Sequence, residues 1–370
     1  MSDDNTALAG FAPTVVQWQR QAGRHGLPWQ GTRDPYRIWL SEIMLQQTQV
    51  ATVIGYYQRF LQRFPTVQAL AQAEQDDVMP YWAGLGYYAR ARNLHRCARE
   101  ICAKWQGRFP ATADDIMTLP GIGRSTAAAI AAFAYGERSP IMDGNVKRVF
   151  TRYFGIHGNP AAGATEQILW DTAERIVRAA PDDLDMAAYT QGLMDLGAGL
   201  CTRTRPDCVA CPLAGSCYAR REGRQHELPS PKPRKQNAQR QCHMLILESA
   251  GAVLLQQRPS SGIWGGLWSL PQFDSREALE QACTHWGQRL APAQKMAGLS
   301  HTFTHFKLHI EPWLVVCDMP LAAEPAPDHA WFAIGGLADA ALPAPVRKLL
   351  DGLYAQDDLV SALKSHAGPA

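Results

Sequence analysis

The chain has 370 residues, of which 46% are apolar and 19% charged, a composition that supports packed cores and excludes wholesale disorder. Its formal net charge is +2, it holds no apolar run of the roughly 18 residues that a membrane span needs, and its first ten residues, MSDDNTALAG, lack the basic and apolar regions of a secretion signal. A cytoplasmic protein of two domains, with reduced cysteines, is expected.

The charge is unevenly spread. Residues 1–229 carry 24 Lys and Arg against 22 Asp and Glu, residues 230–241 carry four basic and no acidic residues, and the remainder carries 8 against 12. A near-neutral total leaves nucleic acid open as a partner, because local patches set phosphate affinity. Arg90, Arg92, Arg96 and Arg99 form one such cluster; a solvated helix face explains them equally well.

Residues 10–229 read as mostly helical. Apolar residues recur at three- and four-residue spacing near 36–63, 67–79, 88–105, 114–117, 124–135, 145–154, 165–178 and 185–200. Asp34 caps a helix that opens with Pro35. Glu42 follows on that helix, with Ile38, Trp39 and Leu45 as neighbours. A carboxyl among apolar side chains has a raised pKa and suits a general acid near neutral pH, whereas a Glu at a helix edge is merely solvated. Further on, Leu85-Gly86-Tyr87-Tyr88 places two aromatics behind a flexible glycine.

LPGIGRSTAAAIAAFA spans residues 119–134 as a helix–turn–helix. Gly121 and Gly123 flank Ile122, which plugs the turn into the core, and a helix N-terminus follows. Such a turn either packs two helices or receives a phosphate of DNA. Asp143, before Gly144-Asn145-Val146, caps the next helix, and the cap and the helix dipole favour its ionised form. Cys201, Cys208, Cys211 and Cys217 then crowd one loop. Their spacing falls outside the usual zinc patterns and suits a cube-shaped iron–sulfur cluster on four thiolates, with a structural role. Cys97, Cys102, Cys242, Cys283 and Cys317 read as buried free thiols.

LPSPKPRKQNAQR, residues 228–240, is a Pro-rich basic segment, and residues 230–241 are assigned to a linker. Beyond it the period becomes that of strands. Residues 242–256 form two strands about Ala250-Gly251, and residues 301–316 alternate as one strand, with Phe303, His305, Lys307 and His309 on one face. Residues 275–287 and 344–356 read as helices. The expected domains are thus 1–229, mainly α, and 242–366, α+β.

LPGIGRSTA, the Asp of MDGNVKRV and the four-cysteine loop together resemble the helix-hairpin-helix DNA glycosylases that carry a 4Fe-4S cluster. LSEIMLQQTQV, GLGYYARARNL, SGIWGGLWSLPQF and HTFTHF are similar to the adenine-excising family within them, so the resemblance runs from about residue 13 to 356. It implies a base-excision-repair enzyme acting as a monomer on double-stranded DNA with 8-oxoguanine:A or G:A mispairs, with no membrane and no protein partner identified. Glu42 matches the family's acid and Asp143 its second carboxylate, with Asn145 beside it. Ser125 stands where strand-nicking relatives place a Schiff-base Lys, which implies a monofunctional glycosylase. Gln47, Thr48, Leu85 and Tyr87 match a wedge that opens the duplex, and Trp29, Gln30 and Gln191 match the adenine pocket. The C-terminal domain resembles a Nudix fold, in which Phe303-Thr304-His305 matches the loop that reads 8-oxoguanine. A Nudix hydrolase needs a REx2EE helix for magnesium; none is recognised after GGLWSLPQF, so pyrophosphatase activity is not expected. The alternatives are a bifunctional glycosylase/lyase, disfavoured by Ser125 and the C-terminal domain; a non-enzymatic iron–sulfur DNA sensor, which needs neither carboxylate; and a Nudix hydrolase with a DNA tether.

Overall fold

The structure is a computed structural model that describes residues 2–231, 238–286, 293–317 and 326–354; for residues 2–7 and 284–286 the backbone alone is described. The chain divides into two compact units, Met1–Gln72 with Arg92–Arg234, and Ala73–Ala91 with Lys235–Ala370. The segment 73–91 therefore groups with the C-terminal unit, although it lies within the span expected for the N-terminal domain. Among the described residues no helix is long and apolar enough to cross a membrane.

The helices of the N-terminal half follow in chain order. α1 is Ser2–Ala22, α2 Pro35–Leu45, α3 Val50–Arg63, α4 Val67–Gln72, α5 Gln75–Val78 and α6 Ala89–Lys104. α7 is Ala113–Met117, α8 Arg124–Tyr135, α9 Gly144–Phe154, α10 Gly163–Ala179, α11 Met186–Asp195 and α12 Tyr218–Arg221. α1 precedes the stretches marked by periodicity, because Gly10 and Pro13 interrupt its pattern; its Phe11, Ala12, Val15 and Val16 nonetheless lie buried on one face. The long apolar stretch at 36–63 is two helices. Gln46-Gln47-Thr48-Gln49 supplies four polar residues in a row, and Gln47 turns with φ 57°. Likewise the stretch at 185–200 ends in a π turn, Leu196–Leu200. The core joins α1, α8, α9, α10 and α11: Phe11 meets Phe150 edge to face at 5.6 Å, and Leu169, Ile176, Leu193 and Leu196 are fully buried. Each such side chain contributes about 1.5–3 kcal/mol by leaving water.

The C-terminal unit is built on a mixed sheet. Its strands are β1 Ala238–Ser249, β2 Ala252–Gln257, β3 Trp268–Ser269, β4 Gln272–Phe273, β5 Gln294–Lys295, β6 Leu299–Thr302, β7 Phe306–Cys317 and β8 His329–Ala333. The main order is β3-β2-β1-β7-β5, with β1 and β7 parallel and β4, β6 and β8 paired to β1, β7 and β2. Ala250 and Gly251, with φ 49° and 75°, make the expected hairpin turn between β1 and β2. β1 begins at Ala238, inside the span assigned to the linker; residues 232–237 of that span lie outside the described residues. Two further expectations change. Residues 301–316 are not one strand: Phe303 N donates to Phe306 O at 2.8 Å and closes a turn at 303–305. Furthermore, α13, Arg276–Trp286, carries Arg276-Glu277-Ala278-Leu279-Glu280-Gln281, a near match to REx2EE overlooked in the sequence reading. Gln281 replaces the last carboxylate, and Arg276 is paired with Glu280 at 2.8 Å and stacked over Trp313. A last helix covers residues 344–354, and the rest of the expected domain, 355–366, lies outside the described residues.

Candidate active site

α2 starts where Asp34 accepts a hydrogen bond from Tyr36 N at 2.9 Å and Pro35 fixes the first φ. Its apolar face buries Ile38, Trp39 and Ile43, and this anchoring turns Glu42 toward a cavity of about 360 Å³. Glu42, Trp29, Gln30 and Gln191 all line that cavity, together with Gln19, Ser41 and Phe133. The Glu42 side chain is half-buried at the cavity wall. Burial, aided by the negative charge of Asp143, pushes its pKa from the usual 4.5 up to about 8. A value so placed favours the protonated form at neutral pH.

Asp143 is the N-cap of α9. Its Oδ1 accepts from Val146 N at 2.7 Å, and its Oδ2 accepts from Asn145 Nδ2 at 3.1 Å. Burial raises this carboxyl above the ordinary range, while the Val146 and Asn145 hydrogen bonds and the Arg148 charge pull it down. The cap alone favours the ionised form; in the fold, desolvation outweighs it in sign. Ser125 Oγ accepts from Met142 N at 2.9 Å and so ties the start of α8 to the residue before Asp143.

Two arginines that the sequence reading did not single out continue from this cap. Arg148 donates to Asn145 Oδ1 at 2.8 Å, Gly197 O at 2.6 Å and Cys201 O at 2.7 Å. Arg152, 3% exposed, donates to Leu228 O at 2.8 Å, Thr202 O at 2.7 Å and Cys201 Sγ at 3.3 Å. Their spacing places them one turn apart on α9, but their partners are distant carbonyls that no local pattern reveals. Gly197 lets the π turn press against this cap, since a Cβ there would lie 2.4 Å from Asn145 Cβ.

The cysteine loop follows. Cys201, Cys208, Cys211 and Cys217 are half-buried free thiols, and Cys201 and Cys208 lie near enough that their charge raises Cys211 and Cys217. Burial first, and then those neighbours, push Cys211 up to about 11. Among the described residues no three Cys, His, Asp or Glu side chains are placed to hold a single metal ion. A donor set of four thiols, with the Arg152 guanidinium on Cys201 Sγ, fits a larger anionic centre that bridges several metal ions. Arg203, Arg205, Arg220 and Arg221 in and beside the loop are exposed.

In the hairpin, Ile122 is 6% exposed and plugs the turn. Gly121, with φ 78°, passes so close to Asn93 that a Cβ would meet its Cβ at 2.6 Å, whereas Gly123 is exposed with open space before the first turn of α8.

The residues matched to a wedge divide between the units. Gln47 and Thr48 follow α2 in the first, and Leu85 and Tyr87 belong to the segment grouped with the second. Tyr87 is 48% exposed with φ 49°, whereas Leu85 is buried. Arg90 does not join an exposed basic cluster: it is buried, donates to Leu85 O and Gly86 O at 3.3 and 3.2 Å, and lies over the Tyr87 ring at 5.6 Å. It holds the turn that presents Tyr87. Arg96 and Arg99 are exposed. In the same unit Phe303-Thr304-His305 forms the tip between β6 and β7, and Thr304 Oγ1 lies 3.4 Å from Tyr87 OH.

Comparison with known proteins adds an independent line. Residues 40–187 match the HhH-GPD superfamily base excision DNA repair protein model, and residues 242–352 match the NUDIX domain model. The adenine DNA glycosylase of Buchnera aphidicola subsp. Schizaphis graminum is 34% identical over 343 residues, covering 92% of this chain and 98% of that protein. The human adenine DNA glycosylase is 33% identical, covering 94% of this chain and 74% of its own. Among solved structures, a thermostable thymine-DNA glycosylase aligns at TM-score 0.52 with 28% identity, over 59% of this chain and 99% of its own. A non-covalent endonuclease III–DNA complex aligns at TM-score 0.50 with 19% identity, over 59% and 97%, a likeness of fold.

Proposed function

The chain belongs to the adenine DNA glycosylases, base-excision-repair enzymes that hydrolyse N-glycosyl bonds, and from that we propose that it removes adenine mispaired with 8-oxoguanine or guanine, without cutting the strand. The observation that carries this reading is the Glu42 carboxyl, its pKa raised by burial and by the nearby Asp143, lining a cavity of about 360 Å³ with room for a purine.

Adenine is a poor leaving group as an anion, so a proton must reach it as the bond breaks. Glu42 supplies that proton to N7 of the flipped base. The C1′–N9 bond then breaks with oxocarbenium character, and Asp143 as a carboxylate stabilises C1′, as the second carboxylate of a retaining glycosidase does. Asn145 and the α9 cap fix the Asp143 carboxyl in place. Glu42, once ionised, activates the water that completes hydrolysis. Ser125 offers no amine for a Schiff base, and its hydroxyl already accepts from Met142 N, which supports a monofunctional reaction.

Trp29 and Gln191 form the base pocket, and Gln30 shapes it: its amide accepts from Leu27 N and donates to Arg24 O, both at 3.0 Å. Of the residues matched to the wedge, exposed Tyr87 supplies the aromatic that fills the gap left by the flipped base and buried Leu85 backs its turn; Gln47 and Thr48 are the polar members of the same match. Gly121 and Gly123 bring the hairpin to a DNA phosphate, and exposed Arg203, Arg205, Arg220 and Arg221 extend the phosphate contacts. Cys201, Cys208, Cys211 and Cys217 would hold a 4Fe-4S cluster, which would cross-link the loop and supply no chemistry at the base. Phe303, Thr304 and His305 read 8-oxoguanine, Thr304 through its hydroxyl. The protein acts as a monomer on double-stranded DNA in the cytoplasm. As division of labour, residues 1–229 are the catalytic domain and 242–366 the lesion-reading domain, with 230–241 largely linker.

The test is excision from a labelled duplex carrying 8-oxoguanine:A, analysed with and without alkali. Strand breaks that appear only after alkali are expected, with no adduct trapped by borohydride; breaks without alkali, or an intact strand in both, would overturn the proposal.

A further inference from the structure

One wall of the cavity carries polar side chains whose chemistry allows a single donor direction. Gln191 on α11 lines the cavity, and its Nε2 donates to Asp195 Oδ1 at 2.8 Å. Asp195, about one turn further along the same helix, is 3% exposed. It also accepts from Arg24 N at 2.8 Å and Arg24 Nε at 2.7 Å. A carboxylate has no hydrogen to give, so the atom of Gln191 that faces Asp195 must be the amide nitrogen. The amide oxygen is left as the end presented to the cavity.

The far end of this chain is fastened as well. Gln30 Nε2 donates to Arg24 O at 3.0 Å, and Gln30 Oε1 accepts from Leu27 N at 3.0 Å. Gly23 lets the backbone reach Asp195: a Cβ there would lie 2.5 Å from Gln19 O and 3.1 Å from Asp195 Oδ2.

We propose that Asp195, anchored by Arg24, is a positioning residue that locks Gln191 as a hydrogen-bond acceptor and thereby selects purines bearing an exocyclic amine at C6 over those bearing a carbonyl. The proposal rests on the reading of the cavity as the adenine site. An amine donates to the Gln191 oxygen. A C6 carbonyl would set two acceptors against each other in a confined space, leaving both unpaired. Asp195 acts through Gln191; its own oxygens are already engaged by Arg24.

The experiment compares single-turnover release of adenine and of hypoxanthine, each opposite guanine in the same duplex. In Asp195→Ala the Gln191 amide loses the acceptor that fixes it and can present either end to the cavity. The adenine-to-hypoxanthine ratio should then fall at least about tenfold from the parent's. In a Gln191→Leu background, adding Asp195→Ala should leave the ratio where Gln191→Leu alone puts it. An unchanged ratio in Asp195→Ala, or equal slowing for both bases, overturns the proposal. If thermal melting shows that Asp195→Ala does not fold, Gln191→Leu decides: it must lower the ratio, and an unchanged ratio there overturns the proposal. A parent protein that releases neither base overturns the adenine reading itself, an outcome distinct from a parent that releases adenine while the variants keep its ratio.

Discussion

At the scale of single residues, Glu42 ties chemistry to stability. Its folded pKa of about 8 lies above the usual 4.5, so between those values the folded chain holds a proton that the unfolded chain has released. Stability therefore declines as pH rises through this window, by at most about 1.4 kcal/mol per pH unit, and levels off above pH 8. Glu42→Gln removes that slope. Denaturation at pH 5 and pH 9 should show the parent losing stability and the variant losing less; parallel profiles would refute the assignment. Excision should slow by about 10²–10⁴-fold in the same variant, the usual worth of a positioned acid. In the parent, the single-turnover rate should drop as pH passes about 8, because the ionised form has no proton to donate. Asp143→Asn tests the partner role: it keeps an N-cap acceptor but loses the charge, so turnover should collapse while duplex binding, measured by gel shift, stays largely intact.

At the scale of elements, α9 connects the carboxylate cap at its first turn to the cysteine loop. Arg148 bonds Asn145 beside the cap, the π turn at Gly197 and the carbonyl of Cys201. Arg148→Ala leaves those acceptors without their charged donor and should destabilise the fold by roughly 2–4 kcal/mol, a drop of several degrees in Tm. The same change should slow excision, since Asn145 loses the contact that orients it toward Asp143. Cys201→Ser strikes the same junction from the loop side; a variant with unchanged melting and unchanged DNA affinity would contradict the structural role given to the loop. Elements of this kind were legible where one helix carried its own pattern: the Asp143 cap, the Ile122 plug and the Ala250-Gly251 turn all follow from local residues. The turn at 303–305 was hidden because polar and aromatic residues alternate straight through it, and a period of two does not report where a hairpin closes. The Arg24–Asp195 pair spans 171 residues of sequence, and the burial that shifts Glu42 arises from tertiary packing, so neither has a local signature.

At the scale of the whole molecule, the grouping of Ala73–Ala91 with the C-terminal unit bears on discrimination. Asp76 accepts from Gln257 Nε2 at 3.1 Å, and the Tyr87 hydroxyl lies 3.4 Å from that of Thr304. The segment proposed to wedge the duplex thus shares contacts with the loop proposed to read the lesion. Ending the chain before residue 230 removes both partners, while Glu42, Asp143 and the cavity lining all lie in the retained part. The expected result is a larger loss of 8-oxoguanine:A over G:A preference than of G:A excision itself. Thr304→Val in the full chain replaces the hydroxyl with a methyl group and keeps the rest of the unit, so it separates the hydroxyl's contacts, to the lesion and to Tyr87, from the loss of the unit. One hydrogen bond of ordinary strength makes that preference fall by up to about tenfold, with G:A excision unaltered. If Thr304→Val kept the full preference while the truncation abolished it, recognition would have to be moved to other residues of the C-terminal unit; if both variants lost G:A excision in the same proportion, the C-terminal unit would be supporting catalysis and not reading the opposite base.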